Sequence, residues 1–265
     1  MAGNSELDLL EDGLRKTMLS KSGPDLDAAL TGLGWAEMLT EMPDVAVPLV
    51  FRLLGETGSH ASVLVDVVLH ATGNTIGDTV ELPLPYAGGT WVVWDRTGGT
   101  GTALGGLPLR REEDGYPIRV AEARLAVGWW LVGSARAMLR LASRHALDRV
   151  QFGKPIASFQ AVRHRLAETL VAIEGAEATL TLPGADNPDL TALLAKAAAG
   201  KAALTAAKHC QQVLGGIGFT EEHDLSLHVK RVLVLDGLLG SSRELTRKAG
   251  AGLRARGSAP RLANL

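Results

Sequence analysis

Two stretches of the chain combine side chains that can hold an anionic ligand with backbone that a ligand could approach. The first is Arg144-His145-Ala146-Leu147-Asp148-Arg149-Val150-Gln151-Phe152-Gly153-Lys154-Pro155-Ile156-Ala157-Ser158-Phe159-Gln160. Apolar residues at helical spacing flank it, and Gly153 and Pro155 interrupt the pattern, so Arg149, Gln151 and Phe152 fall at a helix break. Backbone groups at a break are not used by a helix ladder, and a guanidinium presents paired N–H donors that match a phosphate. A surface ion pair of Arg149 with Asp148 or a nearby glutamate competes with that reading, and Phe152 could equally be a core residue. The second stretch is Gln212-Val213-Leu214-Gly215-Gly216-Ile217-Gly218-Phe219-Thr220. Glycines let backbone come close to a bound molecule, and the Gln212 amide can bond a polar edge, although Gly215-Gly216 also reads as an ordinary helix stop.

The elements that must position these stretches are mostly helices. Leu9, Leu10, Leu14 and Met18 recur at helical spacing over 5–20, and after Ser22-Gly23-Pro24 a second short helix runs from Leu26 to Thr31 with Asp25 as its cap. Two further helices fill 43–72, carrying Val47, Val50, Phe51 and Leu54, then Val63, Val67, Val68 and Ala71. Composition changes over 73–118, where Gly88-Gly89, Gly98-Gly99, Gly105-Gly106, Pro83, Pro85 and Pro108 punctuate β-prone runs such as Trp91-Val92-Val93-Trp94. Gly98-Gly99-Thr100-Gly101 lacks the lysine and helix start of a phosphate loop and reads as a turn. A long helix follows from about 119 to 147, with Arg136, Arg140 and Arg144 as a stripe that reads as a solvated face or as a surface for an acidic partner. Ser158 is placed as N-cap of the next helix, whose face is Phe159, Val162, Leu166, Leu170 and Ile173. A loop over 182–186 leads to Asn187-Pro188, a cap followed by proline at the first helical position, and an Ala-rich helix to about 214. The last two helices cover about 224–239 and the residues after Ser241. Four long helices with short connections predict an antiparallel bundle.

Composition narrows the function classes. The chain has 265 residues, of which 46% are hydrophobic, enough for a sizeable core, and its formal net charge of −2 offers no footprint for nucleic acid. The single cysteine, Cys210, reads as a small core residue and excludes an internal disulfide. The longest apolar run, 125–132, is far short of the roughly 20 residues that span a bilayer, and the first residues carry acids rather than a signal-type apolar run. A soluble, cytoplasmic protein without membrane or nucleic-acid partners is expected. The spacings of His145, His164, His209, His223 and His228 make no metal-binding pattern, so no metal is expected.

The two stretches, in this order and separated by one helical hairpin, resemble the acyl-CoA dehydrogenase family, in whose C-terminal domain R-x-Q-F-G-x-P-I-x-x-F-Q and Q-x-x-G-G-x-G-F recur. Gly32-Leu33-Gly34-Trp35 is similar to an L-G-W element near the start of those proteins, and Glu222-His223-Asp224 to their F-T-x-E-H-D variant. The resemblance implies a mainly α, acyl-CoA dehydrogenase-like fold: N-terminal helices over 1–72, a shortened β region over 73–118 and a C-terminal four-helix bundle over 119–265. It implies FAD as cofactor, with Arg149, Gln151, Phe152, Gln212, Gly215 and Gly216 facing the ADP half across a subunit interface. In the family a glutamate removes the proton next to the thioester while hydride passes to the flavin. Its two known positions align with Leu239 and Ala123, and the nearby carboxylates of Glu122, Asp236 and Glu222 are the remaining candidates. The flavin-facing T-E-P-x-x-G-S-D segment has no counterpart. The expected role is therefore a non-catalytic subunit that lends half of an FAD site to a second acyl-CoA dehydrogenase-like subunit, in a heterotetramer acting on an acyl-CoA, as in steroid or other CoA-ester catabolism. A homo-oligomeric, stand-alone dehydrogenase with a relocated base and a scaffold that has lost FAD are the alternatives.

Overall fold

The computed structural model describes residues 2–85, 91–97, 104–182 and 187–258, with side chains from residue 6 onward. The expected turn at Gly98-Gly99-Thr100-Gly101, the pair Gly88-Gly89 and most of the 182–186 loop lie outside these residues.

Five helices come first: α1 (Ala2–Ser20), α2 (Pro24–Gly32), α3 (Trp35–Glu41), α4 (Pro43–Thr57) and α5 (Val63–Thr72). Asp25 does not cap α2. Gly23 stands at the N-cap position and Pro24 opens the helix, while Asp27 accepts hydrogen bonds from the backbone N–H and hydroxyl of Ser62 at the start of α5. On α1, Leu14 and Met18 are buried, but Leu9 faces out. A two-by-two ion-pair set, Arg15 and Arg52 with Glu11 and Glu56, ties α1 to α4.

Three short strands follow, β1 (Glu81–Pro83), β2 (Trp91–Trp94) and β3 (Leu109–Glu112), as an antiparallel sheet with β2 in the centre. Leu82, Val92, Trp94 and Leu109 are buried. Arg96, just after β2, donates to the Asp66 carboxylate at 2.7 Å and to Ser62 Oγ at 2.6 Å, and Trp35 Nε1 donates to the other oxygen of Asp66 at 3.1 Å. The tryptophan of the Gly-Leu-Gly-Trp element is thus fixed by a buried carboxylate that also receives the cation leaving the sheet.

The bundle comprises α6 (Ala121–Asp148), α7 (Gln160–Leu180), α8 (Pro188–Leu214) and α9 (Leu225–Gly237), followed by α10 (Ser242–Arg256). Between α6 and α7 lies a minimal hairpin, β4 (Val150–Gln151) with β5 (Lys154–Pro155). Asn187 Oδ1 caps α8 by accepting from the Leu190 N–H, with Pro188 at the first helical position. Ser158 does not cap α7; its hydroxyl turns back to the Pro155 carbonyl, and Phe159 occupies the cap position. The buried stripe of α7 is Thr169, Ile173, Ala176 and Leu180, so Leu170 lies one step off it and is exposed. Arg136 is not free on a solvated face: it bonds Glu174 and Glu177 of α7, which hold its guanidinium above the ordinary range. Arg140 donates to the Glu56 carbonyl at 3.2 Å.

One core unites the helices and the sheet. Phe51 of α4 makes edge contacts with Trp35 and with Trp130 of α6, and Trp130 stacks obliquely on Trp94 of β2 at 6.2 Å. Where α4 crosses α6, Gly55 and Gly133 bring the two backbones into direct contact. Cys210 is fully buried, and burial pushes its thiol up to about 12. Residues 188–219 are long and apolar enough to cross a membrane, but two thirds of the most apolar window are buried inside the bundle, as in a core helix.

Candidate functional site

The break between α6 and α7 is a two-residue hairpin turn. Phe152 and Gly153 both have positive φ, at 53° and 77°, the type I′ geometry that fits the twist of a tight hairpin. Glycine accepts it freely; a phenylalanine there is strained. Phe152 is nonetheless 91% exposed and meets the Phe159 ring edge-on at 6.0 Å, with Lys154 Nζ above the Phe159 ring. The core reading of Phe152 is overturned. Gln151 is exposed, its amide donating to the neighbouring Val150 carbonyl. Arg149 is exposed, its N–H closing α6 on His145 and its carbonyl accepting from Ile156. No carboxylate among the described residues stands within ion-pairing distance of its guanidinium, so the competing ion-pair reading fails.

The second stretch ends α8. Gly215 has φ 66° and ψ −142°, a conformation open only to glycine, and turns the chain into a 3-10 segment over Gly215–Phe219. A side-chain carbon built at Gly215 or Gly216 would meet nothing, whereas at Gly218 it would collide with the Gln211 carbonyl and Leu214. Gly218 is required by packing, while Gly216 leaves an open surface. Gln212 is exposed, as are Ile217 and Phe219. Arg136 of α6 bonds Glu177 late in α7, and Thr169 earlier in α7 bonds His209 late in α8, so α7 runs back between them and both stretches lie at the same end of the bundle. That end carries an unpaired cation, two exposed amides, an open diglycine and three exposed large apolar rings or chains. Such a set fits one half of a nucleotide-type ligand and a covering surface.

The candidate bases are placed otherwise. Glu122 is exposed in the first turn of α6, 3.6 Å from Arg119, and Glu222 is exposed. Asp236 is buried, and its carboxylate accepts from the Ser242 N–H at the start of α10. Leu239, between α9 and α10, is 1% exposed at φ 63°. Ala123 is buried. Arg124, beside it, donates from Nε to the Leu239 carbonyl and borders a cleft of about 820 Å³ that Arg119, Asp189, Lys248 and Arg256 also line. Among the described residues no three His, Cys, Asp or Glu side chains gather as metal ligands.

Two buried cations carry no recognisable motif. Lys196 on α8 and Arg231 on α9 are both shut off from solvent, yet neither forms an ion pair among the described residues. Arg231 donates to the carbonyls of Gly58, Ser59 and Gly106, joining the C-terminal end of α4 to the loop before β3. Their one signal in the sequence is a cation at an inward position of an otherwise apolar stripe.

Helices before and after a small antiparallel sheet, with a long bundle at the C-terminal end, define a class whose architecture is found among solved acyl-CoA dehydrogenase-type structures. The ChsE4-ChsE5 complex from Mycobacterium tuberculosis and the Tcur3481-Tcur3483 steroid ACAD variant each superpose with a TM-score of 0.70 at 18% identity, over 97% and 96% of this chain and 98% and 99% of theirs. Residues 119–252 match the family model of the acyl-CoA dehydrogenase C-terminal domain, and the chain belongs to the acyl-CoA dehydrogenase family. Among curated relatives, acyl-CoA dehydrogenase IpdE2 of M. tuberculosis is 41% identical over 117 residues, 44% of this chain and 37% of that protein. Acyl-CoA dehydrogenase FadE34 of the same organism is 42% identical over 135 residues, 47% of this chain and 19% of that protein. The match thus spans less than two fifths of either relative.

Proposed function

We propose that this chain is a non-catalytic acyl-CoA dehydrogenase-type subunit that supplies the ADP-gripping half of an FAD site to a second, catalytic subunit of the same family. The observation that supports it is an uneven retention of parts. Arg149, Gln151, Phe152, Gln212 and Gly216 are exposed at one end of the bundle beside the half-buried Gly215, clear of competing ion pairs among the described residues, while the base position of the family holds the buried Leu239. The ligand end fits the group: Arg149 would bond the pyrophosphate, Gln212 a polar edge, the open Gly215-Gly216 backbone would allow close approach, and Phe152 would pack on the adenosine side. Bound FAD supplies a hydride acceptor; the proton at the substrate would be taken by the partner's base.

The working division is a helical unit over 1–72, a β region over 73–118 and a bundle over 119–265, with the bundle end as the interface. A heteromeric arrangement accords with ChsE4-ChsE5 being a complex, and a steroid or other bulky CoA ester with the steroid ACAD neighbour; a cytoplasmic setting is part of the same reading. The test is flavin retention by the complex formed with a full-length dehydrogenase-like partner. Charge-assisted hydrogen bonds contribute about 1.5–3 kcal/mol, so Arg149→Ala should weaken FAD retention roughly ten- to a hundredfold at matched thermal stability. Equal retention in both complexes refutes the half-site. Purified chain alone should show no dehydrogenation with a dye acceptor, since lacking a positioned base costs about 10²–10⁴-fold.

A further inference from the structure

The turn between α9 and α10 is held more firmly than its length requires. Lys196 has no solvent exposure, and its Nζ donates to the carbonyls of Asp236 and Gly240, one at the end of α9 and one just past Leu239. Both peptide groups of Leu239 are used: its N–H donates to the Pro83 carbonyl of β1 at 2.8 Å, and its carbonyl accepts from Arg124 Nε at 3.1 Å. The Asp236 carboxylate fits against Gly200 of α8, where any side-chain carbon would strike it, and caps Ser242. Two elements, β1 and α6, thus bond Leu239 itself, and a third, α8, fastens the turn on both sides of it. The leucine stands at φ 63°, a conformation which persists only where the surroundings over-determine it.

The geometry points to Lys196 as the positioning residue that holds Leu239 inward, so that the position of the family's base is closed by a pinned turn and not merely deprived of an acid. The functional half of this inference rests on the reading of Leu239 as occupying the family's base position. An ammonium facing two carbonyls is costly to bury, and burial lowers Lys196 to about 7; Asp236 of α9 and Glu244 of α10 favour its charged form, and Arg124 of α6 opposes it. The clamp does not depend on the charge, because a neutral amine keeps two N–H donors for the two carbonyls.

The test is a double-mutant cycle on the full chain, read by amide hydrogen exchange over 236–245, with 121–148 as internal reference. Lys196→Met keeps the apolar stem and removes every donor. Exchange in the turn should rise at least tenfold while the reference holds. Leu239→Gly removes the need for restraint, because glycine takes positive φ without strain. In that background Lys196→Met should change turn exchange by no more than about threefold. Equal effects in both backgrounds would make Lys196 a mere core support and overturn the inference, as would unchanged exchange in Lys196→Met alone. Should Lys196→Met fail to fold, recovery of folding by Leu239→Gly supports the clamp, and failure of the double variant overturns it. None of these outcomes touches the non-catalytic reading, which stands or falls separately with turnover of the purified wild-type chain.

Discussion

The contact between α4 and α6 yields a prediction whose sign opposes intuition from helix propensity. An alanine in a helix interior is normally better than glycine by about 1 kcal/mol. At Gly133, however, a Cβ would meet the Arg52 carbonyl and Cα across the interface, and at Gly55 it would meet the backbone of Trp130 and Ser134. The obstacles are main chain on both sides, so no side chain can rotate away. The helices must separate by something near an ångström, beside the Phe51–Trp130 ring contact at 5.9 Å. A gap of that size forfeits about a quarter to a half of each dispersion contact across it, and overpacking of this kind costs typically 1–3 kcal/mol or more. With the obstruction at the top of that range and the propensity gain subtracted, Gly133→Ala should destabilise by about 2 kcal/mol, lowering Tm by roughly 4–8 °C. Gly175 of α7 has nothing within reach of a Cβ, and Gly175→Ala should be stabilising by about 0.5–1 kcal/mol. Urea and thermal unfolding of both variants measure this. A Gly133→Ala protein as stable as wild type would refute the direct backbone contact between the N-terminal helices and the bundle.

Three other outcomes are expected. Arg231→Met leaves the carbonyls of Gly58, Ser59 and Gly106 without their donor and should cost on the order of 2–4 kcal/mol in denaturant unfolding, as removal of one member of a buried polar set does. His60 and His228 are both depressed to about 4, by burial first and the nearby Arg231 second, against 6.5 in the unfolded chain. The unfolded chain therefore binds more protons between pH 6.5 and 4, so their contribution is complete above about 6.5 and is lost as pH falls toward 4; Tm should decline across that window, and less steeply in His228→Gln. Phe152→Asn suits the turn better than phenylalanine and should stabilise the isolated chain by about 0.5–1 kcal/mol while weakening flavin retention in the complex, so a loss of both would contradict the assignment of Phe152 to an interface.

The bundle was readable because its signals are local. Asn187-Pro188 and Gly215-Gly216 punctuate α8 where cap chemistry requires, and apolar spacing locates α6 and α9. Errors arose where a residue had two uses and tertiary contacts chose between them. Asp25 and Ser158 are good caps in isolation, but Pro24 and the short 3-10 turn at Ile156–Ser158 had already fixed the chain direction. Leu170 shows the limit of periodicity, since one step on a helix turns a side chain by about 100° and only the partner helix decides which neighbour is buried. Arg136 read as solvated because its partners, Glu174 and Glu177, lie about forty residues away on α7. The exposed residues Arg149, Gln151 and Gln212 were singled out by motif alone, and Lys196 and Arg231 were missed because their partners are backbone carbonyls, which no sequence pattern displays.

Among the described residues only two that are not glycine have positive φ, and their circumstances are opposite. Phe152 is left in water at 91% exposure, its ring set edge-on to that of Phe159. Leu239 is sealed at 1%, with its N–H and carbonyl both bonded and the carbonyls of Asp236 and Gly240 on either side of it fastened by Lys196. Strain of about 1–3 kcal/mol persists where something else compensates for it. For Leu239 the compensation is visible within the chain, which is why the turn reads as closed. For Phe152 it is not, since asparagine or glycine would satisfy the same turn at no loss to the fold. The asymmetry separates the two strained positions: the inner one serves this chain's own packing, and the outer one is what the proposed interface at Phe152 would account for.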